Sequence, residues 1–590
     1  DWSSDVCSSD LFPSIILASC NNHLLPNPFW SSLPLSPSSA LIWSGDSIYA
    51  DHLTTRLLPY PKITRHPSTP SKIKQYYTEM SSQPGYSTVR THFRTLQSSL
   101  SSPSSGIFGT LDDHDMGMNN GDSTFVHGGT AGGLFADFVG EGGDTWAGRR
   151  ARGGEGVYGV KVVDYNVEGG DGVKGRVLTD EEAGIEIGSP DDDDHDAQPT
   201  TTLPPQPRTI KNGTVAIFFL DCRTHKTPWP TGLPGWSPLP TGDFLGPSQW
   251  SWLARALPRS TAQVNVIVNG LQVLSTHRLG NGNLAEDWSK FPKARERLLE
   301  LVLESGVEAP ILVSGDVHMS QVMRDDCVRV GDGKRRSIVE VTTSGLTHSW
   351  GTGFSPYPMH RGKWYSAVPN FMSAAMMHTA HRFMPWTELL INNDNAKAGA
   401  GAQGEGGTYT PGTPPSPHGV TPGKQYSLSK NYGLFSFDFD ADVLVASIKG
   451  PGSDPRGPSD TDLLQASWTF GMLSGREDMG GGGVGEGTYS RAHTASSDSS
   501  ASTTTGDDND DSVGTTWTCE GYGGTPGAWE VVFGYAVGLS VVFFFVAVVP
   551  AACVWAVGTG VRRAGRGIYE RTRTRTRTTV GRVEKVEKVD

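Results

Sequence analysis

The chain is poor in cysteine, with six in 590 residues, and no C-x-x-C pair or regular spacing lets a disulfide framework be read from them. It lacks positive charge: 62 acidic against 49 basic residues leave a net charge of -13, which argues against a nucleic-acid surface as its main partner. Only 19% of residues are charged and 36% are hydrophobic, yet at this length that suffices for a sizeable core. The acidic run Asp438–Asp442 lacks the spacing of an EF-hand loop and reads as a turn with strand-edge residues. Asp191–Asp196, set among Pro and Thr, reads as a solvated tract rather than a metal site. An uncharged apolar run long enough to span a bilayer occurs once, at 531–557.

What is present is a series of short apolar runs, each ending in residues that can bind metals. SIILA (14–18), ALIW (40–43), IFGTL (107–111), VAIFFL (215–220), VNVIV (264–268) and PILV (310–313) have the length and β-branched content of strands buried on both faces. Cys20, Asp46, Asp112, Asp221 and Asp316 follow most of them at once. Open α/β sheets place ligands at the carboxyl ends of their strands. Helix-like stretches lie between, at 247–257 and 291–303, the second with apolar residues at near-helical spacing. The expected class is α/β, with a site on one edge.

Four segments carry the chemistry: SCNN (19–22), GDSIYAD (45–51), DDHD (112–115) and SGDVH (314–318). Asp46 follows a strand and a glycine and is placed to bridge two cations; Tyr49 could join as a phenolate. The alternatives are that Tyr49 packs in the core and Asp46 caps a helix. DDHD packs three carboxylates and an imidazole into four residues, whose repulsion a cation would relieve; a solvated acidic turn is the alternative. Asp316 and His318, two apart on an extended chain, share one side. Cys20 is either an inert buried thiol or a ligand, and its place directly after a strand favours the ligand.

The order SCNN, GDSIYAD, DDHD, LDCR, SGDVH, SGLTHSW and NYGLFSFDFD resembles the alkaline phosphatase D (PhoD-like) family of metallophosphoesterases, particularly its fungal branch, over about Ile15 to Lys449. The resemblance implies a metallophosphoesterase-type β-sandwich flanked by helices. It implies that Cys20, Asp46 and Tyr49 hold a ferric-type ion, that Asp46 bridges to a second cation and Asp113 ligates it, and that Asp316 and His318 complete the cage. His114 would donate to the phosphate or the leaving group, with Arg223 orienting phosphate and Asn21 beside them. A salt bridge from Arg223 to Asp221 is the alternative. Asp112, Asp115 and His348 would stand behind the ligands. Iron(III) with calcium suits this mixture of donors, with zinc, manganese or magnesium as alternatives. The reaction implied is hydrolysis of a phosphate ester, two metals clamping the phosphate while a metal-bound hydroxide attacks in line. The chain departs from the family pattern at Thr110, Leu111 and Met116, none of them a ligand.

Around this domain (11–392, closing at 427–475) the expected organisation is a foreign or misassembled start at 1–10 and disordered inserts near 140–156 and 165–212. A Gly/Pro-rich insert at 393–426 and a linker at 476–528 follow. Last come a single transmembrane helix at 531–557 and a basic tail at 558–590. Arginines at 562, 563, 566, 571, 573, 575 and 577 mark the tail as cytoplasmic, which would put the catalytic domain in the lumen or outside the cell. The glycosylation pattern at Asn212 agrees with that side. A catalytically inactive, membrane-anchored interaction protein on the same fold is the alternative function. The oligomeric state is not legible.

Overall fold

A computed structural model describes residues 12–35, 37–56, 62–168, 174–185, 209–229, 237–275, 278–279, 282–283, 286–329, 333, 335–351, 377, 426–451, 461–477 and 517–519. The chain divides into units Asp1–Gly524 and Thr525–Asp590, and the second lies wholly outside the described residues. So do the expected transmembrane span and basic tail. Among the described residues no helix is long and apolar enough to cross a membrane.

The chain opens with β1 (Ser14–Ala18), β2 (Ser38–Ser44), the hairpin β3 (His52–Arg56) and β4 (Lys62–His66), then α1 (Pro70–Ser82) and α2 (Pro84–Ser99). It continues with β5 (Ile107–Thr110), α3 (Asp113–Met116), α4 (Gly128–Val139), α5 (Trp146–Gly153), β6 (Gly159–Glu168), β7 (Lys174–Val177), α6 (Asp180–Ala183) and β8 (Lys211–Leu220). Next come α7 (Gly246–Ala256), β9 (Ala262–Asn269), the two-residue pair β10 (Arg278–Leu279) and β11 (Gly282–Asn283), α8 (Pro292–Glu304), β12 (Pro310–Ser314), β13 (Ser320–Arg329) and β14 (Arg335–Thr343). The last strands are β15 (Tyr426–Ser427), β16 (Tyr432–Asp438), β17 (Val443–Gly450), β18 (Thr461–Thr469) and β19 (Trp517–Cys519).

Two sheets result. One has the order β18-β17-β16-β1-β2-β5, the other β15-β13-β14-β12-β9-β8-β6-β7, with β19 paired to β13. Alternation along each strand decides what packs where. Ile15, Leu17, Ala40 and Ile42 face Val215, Ile217, Val266 and Val341 in a core shared by both sheets. Ile16, Ala18, Leu41 and Trp43 point the other way, onto α1, α2 and α4. The far face of the second sheet is covered by α7 and α8, through Trp250, Leu253, Leu298 and Val302. Prolines near the starts of α1, α2, α7 and α8 use positions where no intrahelical N–H is needed. This is a helix-flanked sandwich of mixed sheets.

The strands that matter are parallel. β1, β2 and β5 run together in the first sheet, and β8, β9, β12 and β14 in the second. Their carboxyl ends converge on one edge.

Two expectations of disorder require correction. Residues near 140–156 hold α5, with Thr145 accepting from the Gly148 N–H as its cap. Glycines of α4 let it pack closely on this stretch: a Cβ on Gly129 would come 3.1 Å from Gly154 Cα, and one on Gly132 would lie 3.4 Å from the Ala151 carbonyl. Within 165–212, β6 continues to Glu168, and β7, α6 and the start of β8 are built; residues 169–173 and 186–208 lie outside the described part.

Candidate metal centre

Cys20, Asp46, Asp316 and His318 stand two to four residues beyond the ends of β1, β2 and β12. All four adopt left-handed backbone conformations, with φ of 57°, 53°, 65° and 53°. That region is disfavoured for side chains other than glycine, and it persists only where surrounding structure over-determines it. The turns are packed hard against each other: a Cβ on Gly45 (φ +87°) would lie 2.5 Å from Asp112 Cβ. At DDHD, Asp112 caps α3 and Asp115 completes a capping box, which fixes the loop's entry.

The result is a buried acidic cluster. Asp46, Asp112, Asp113 and Asp316 each offer an oxygen, all within 4.8 Å of one another; Asp46, Asp113 and His114 form a second such group. Asp46 and Asp113 belong to both. Cys20 Sγ lies 3.7 Å from Asp46 Oδ2 and 3.0 Å from Ser344 Oγ. The Tyr49 ring stacks on His114 at 3.9 Å and meets His348 edge-on at 5.0 Å, and His348 lies 4.5 Å from His318. The Tyr49 hydroxyl, Asp112 Oδ2 and Asp113 Oδ1 are buried without a hydrogen-bond partner. Buried polar atoms are normally paired, so three orphans around one acidic cluster mark a place for a cation. Thiol, phenol, imidazole and carboxylate groups stand together here, a donor set able to hold metal ions.

The electrostatics agree. Burial, reinforced by neighbouring acids, holds Asp46, Asp316 and Tyr49 well above their ordinary ranges. Burial also lifts the Cys20 thiol to about 12. Asp112 is raised to about 7 by burial, although Arg223 pulls it the other way. For Asp113 burial is outweighed by His114, Arg223 and the Asn120 N–H, which hold it below the carboxylate range. His114 is pushed down by burial but lifted to about 9 by Asp113 and Asp51. His318, driven to about 3 chiefly by burial, and His348, well below its usual value for the same reason, are neutral imidazoles with lone pairs to offer.

Arg223 is fully buried and pairs with Asp112, with Glu286 at 2.7 Å and with Asp316 at 4.0 Å. The alternative pairing with Asp221 is not formed: Asp221 accepts from the Arg223 and Thr224 backbone N–H groups and from Val157 N–H. Asn21 is also placed differently from expectation. Its amide donates to the Ser47 carbonyl at 2.9 Å and accepts from Asn27 at 3.2 Å, which serves the loop rather than the cluster. Asp115 accepts from Ser47, the Ile48 N–H and Tyr77, tying GDSIYAD to α3. His348 contacts Thr347 Oγ1 at 3.0 Å.

Sequence reading missed several participants. Asp51, the last letter of GDSIYAD, is paired with His114 Nδ1. Glu286 joins Arg223 to Lys226, whose Nζ lies 2.5 Å away; neither was singled out as a site residue from the sequence. Ser344 holds both Cys20 and the His318 N–H.

Residues 200–386 match the family model described as PhoD-like phosphatase. That span includes Arg223, Asp316, His318 and His348, while Cys20, Asp46, Tyr49, Asp113 and His114 precede it. A solved structure titled "Structure of PhoD" is similar at 13% identity with a TM-score of 0.38, covering 77% of this chain and 69% of that one. No curated protein matches the chain.

Proposed function

We propose that the chain is a metal-dependent phosphoesterase with a dinuclear centre built on the strand ends. The observation that carries this is the buried donor group of Asp46, Asp112, Asp113 and Asp316, bordered by the orphaned oxygens of Tyr49, Asp112 and Asp113. The phosphatase match over residues 200–386 supports the same reaction class. Asp46 and Asp113 would hold both ions. Cys20, Tyr49 and His318, which border the cluster, would add the donors of an iron-type side, and Asp112 and Asp316 those of an oxygen-rich side. When bound, the cations supply Lewis acidity toward the phosphoryl oxygens and water.

The protein's own groups do the rest. Asp51 fixes the proton on His114 Nδ1 and orients the ring, which stacking on Tyr49 also restrains. With His114 lifted to about 9, its Nε2–H is available near neutral pH to donate to the leaving-group oxygen. Arg223, buried against Asp112 and Asp316, holds them in place.

Tethering by the 531–557 segment, with the catalytic domain lumenal or extracellular, is part of the proposal and rests on the sequence. The disulfide between Cys327 and Cys519 supports it, since such bonds persist in oxidising compartments. The inactive interaction-protein reading is not favoured by a buried cluster that keeps Asp46, Asp112, Asp113 and Asp316 together. Chelator treatment followed by metal add-back, assayed with an aryl phosphomonoester and a diester, tests the proposal. Turnover that disappears and returns supports it. Turnover indifferent to chelation would remove its basis.

A further inference from the structure

The strand β19 stands beyond a low-complexity tract of Gly, Ser, Thr and Asp at 478–516, yet it is part of the second sheet. Cys327 pairs with Cys519, Val328 with Thr518 and Arg329 with Trp517, antiparallel. Trp517 is 6% exposed and belongs to the core cluster between the sheet and α7–α8. Its indole N–H donates to Glu304, and Arg329 lies 5.6 Å over its ring. A three-residue strand holds poorly by pairing alone. Here a disulfide across 192 residues of sequence secures it.

We propose that Cys327–Cys519 is a covalent clasp that joins the phosphoesterase fold to the chain beyond residue 520 independently of the peptide 478–516. Two consequences follow. Cleavage anywhere in 478–516, where Arg491 offers a tryptic bond, leaves a two-chain protein that stays together. The chain also leaves the domain at the far end of β13. Ser320, two residues past His318, begins that strand, and Cys327 lies about 23 Å along it at the usual strand rise. From Cys519, residues 520–530 reach at most about 40 Å before the apolar run begins. The clasp therefore roots the chain beyond residue 520 at a point on β13 remote from the metal centre.

The test uses the full chain with a specific protease site inserted after Ser500 and an affinity tag at the C-terminus. After cleavage, the catalytic portion should remain on the tag resin in buffer and elute when reductant is added. The C327S variant should release it without reductant. A digest of uncut protein with thiols alkylated should contain the peptide pair linked through Cys327 and Cys519. Release of the catalytic portion without reductant would overturn the proposal, as would recovery of both cysteines in alkylated form. Retention in the presence of reductant would overturn it too, since association would then not depend on the clasp.

Discussion

Replacing Arg223 with methionine removes a buried cation from between Asp112, Glu286 and Asp316. Breaking a buried ion pair by deleting one partner costs about 3–5 kcal/mol, because the remaining charge is left without water or counter-charge. Glu286 keeps Lys226 at 2.5 Å, and Asp112 keeps the Asp113 N–H at 3.0 Å. The lower end, about 3 kcal/mol, is therefore expected for chelator-treated protein. The loss should depend on pH. In the fold Asp112 sits at about 7, against about 3.9 for an unfolded aspartate. The folded state thus holds a proton that the unfolded state has lost, so this group's contribution to stability falls as pH rises from about 4 to 7 and then levels. Without Arg223 the folded value moves higher, and the variant goes on losing stability where the parent has stopped. Urea unfolding of both proteins at pH 6 and pH 9 should show a deficit that widens at pH 9. Saturating cation should narrow it by occupying the same carboxylates. A variant within about 0.5 kcal/mol of the parent at both pH values would refute the claim that Arg223 balances the cluster.

Asp51→Asn should lower kcat for an aryl phosphate roughly 10–100-fold with KM little changed, since Asp51 orients His114 rather than binding substrate. An unchanged kcat would separate Asp51 from the reaction. Cys20→Ser should weaken cation binding at least about tenfold and reduce the protons released on binding, because a thiol held at about 12 gives up its proton only to a metal; a calorimetric titration in two buffers measures both. Gly45→Ala forces a left-handed conformation and places a Cβ 2.5 Å from that of Asp112. It should cost at least about 2 kcal/mol and weaken metal binding, read by thermal melting with and without cation.

Much of the site was legible because its donors come directly after short apolar strands. Cys20, Asp46, Asp112 and Asp316 follow β1, β2, β5 and β12, and the carboxyl ends of the expected strands fall within one residue of those found. What composition misread was glycine. The stretch near 140–156, taken for disorder, holds α5, which packs closely on Gly129 and Gly132 of α4. Glu286 and Lys226 were invisible because their roles depend on a three-way charge contact with Arg223 that no spacing encodes. Asn21 was misplaced through its neighbour: adjacent to Cys20 in sequence, it turns its amide to Ser47 and Asn27 instead. The Cys327–Cys519 pairing bridges 192 positions, beyond any local signal.

The most direct test is elemental analysis of the purified chain beside Asp46→Asn and Asp113→Asn, with hydrolysis of an aryl phosphate measured on the same samples. Because both aspartates belong to the buried donor group, the parent should carry bound metal and turn over, and each variant should lose metal and activity together. A parent that binds no cation, or variants that keep both metal and turnover, would contradict the account.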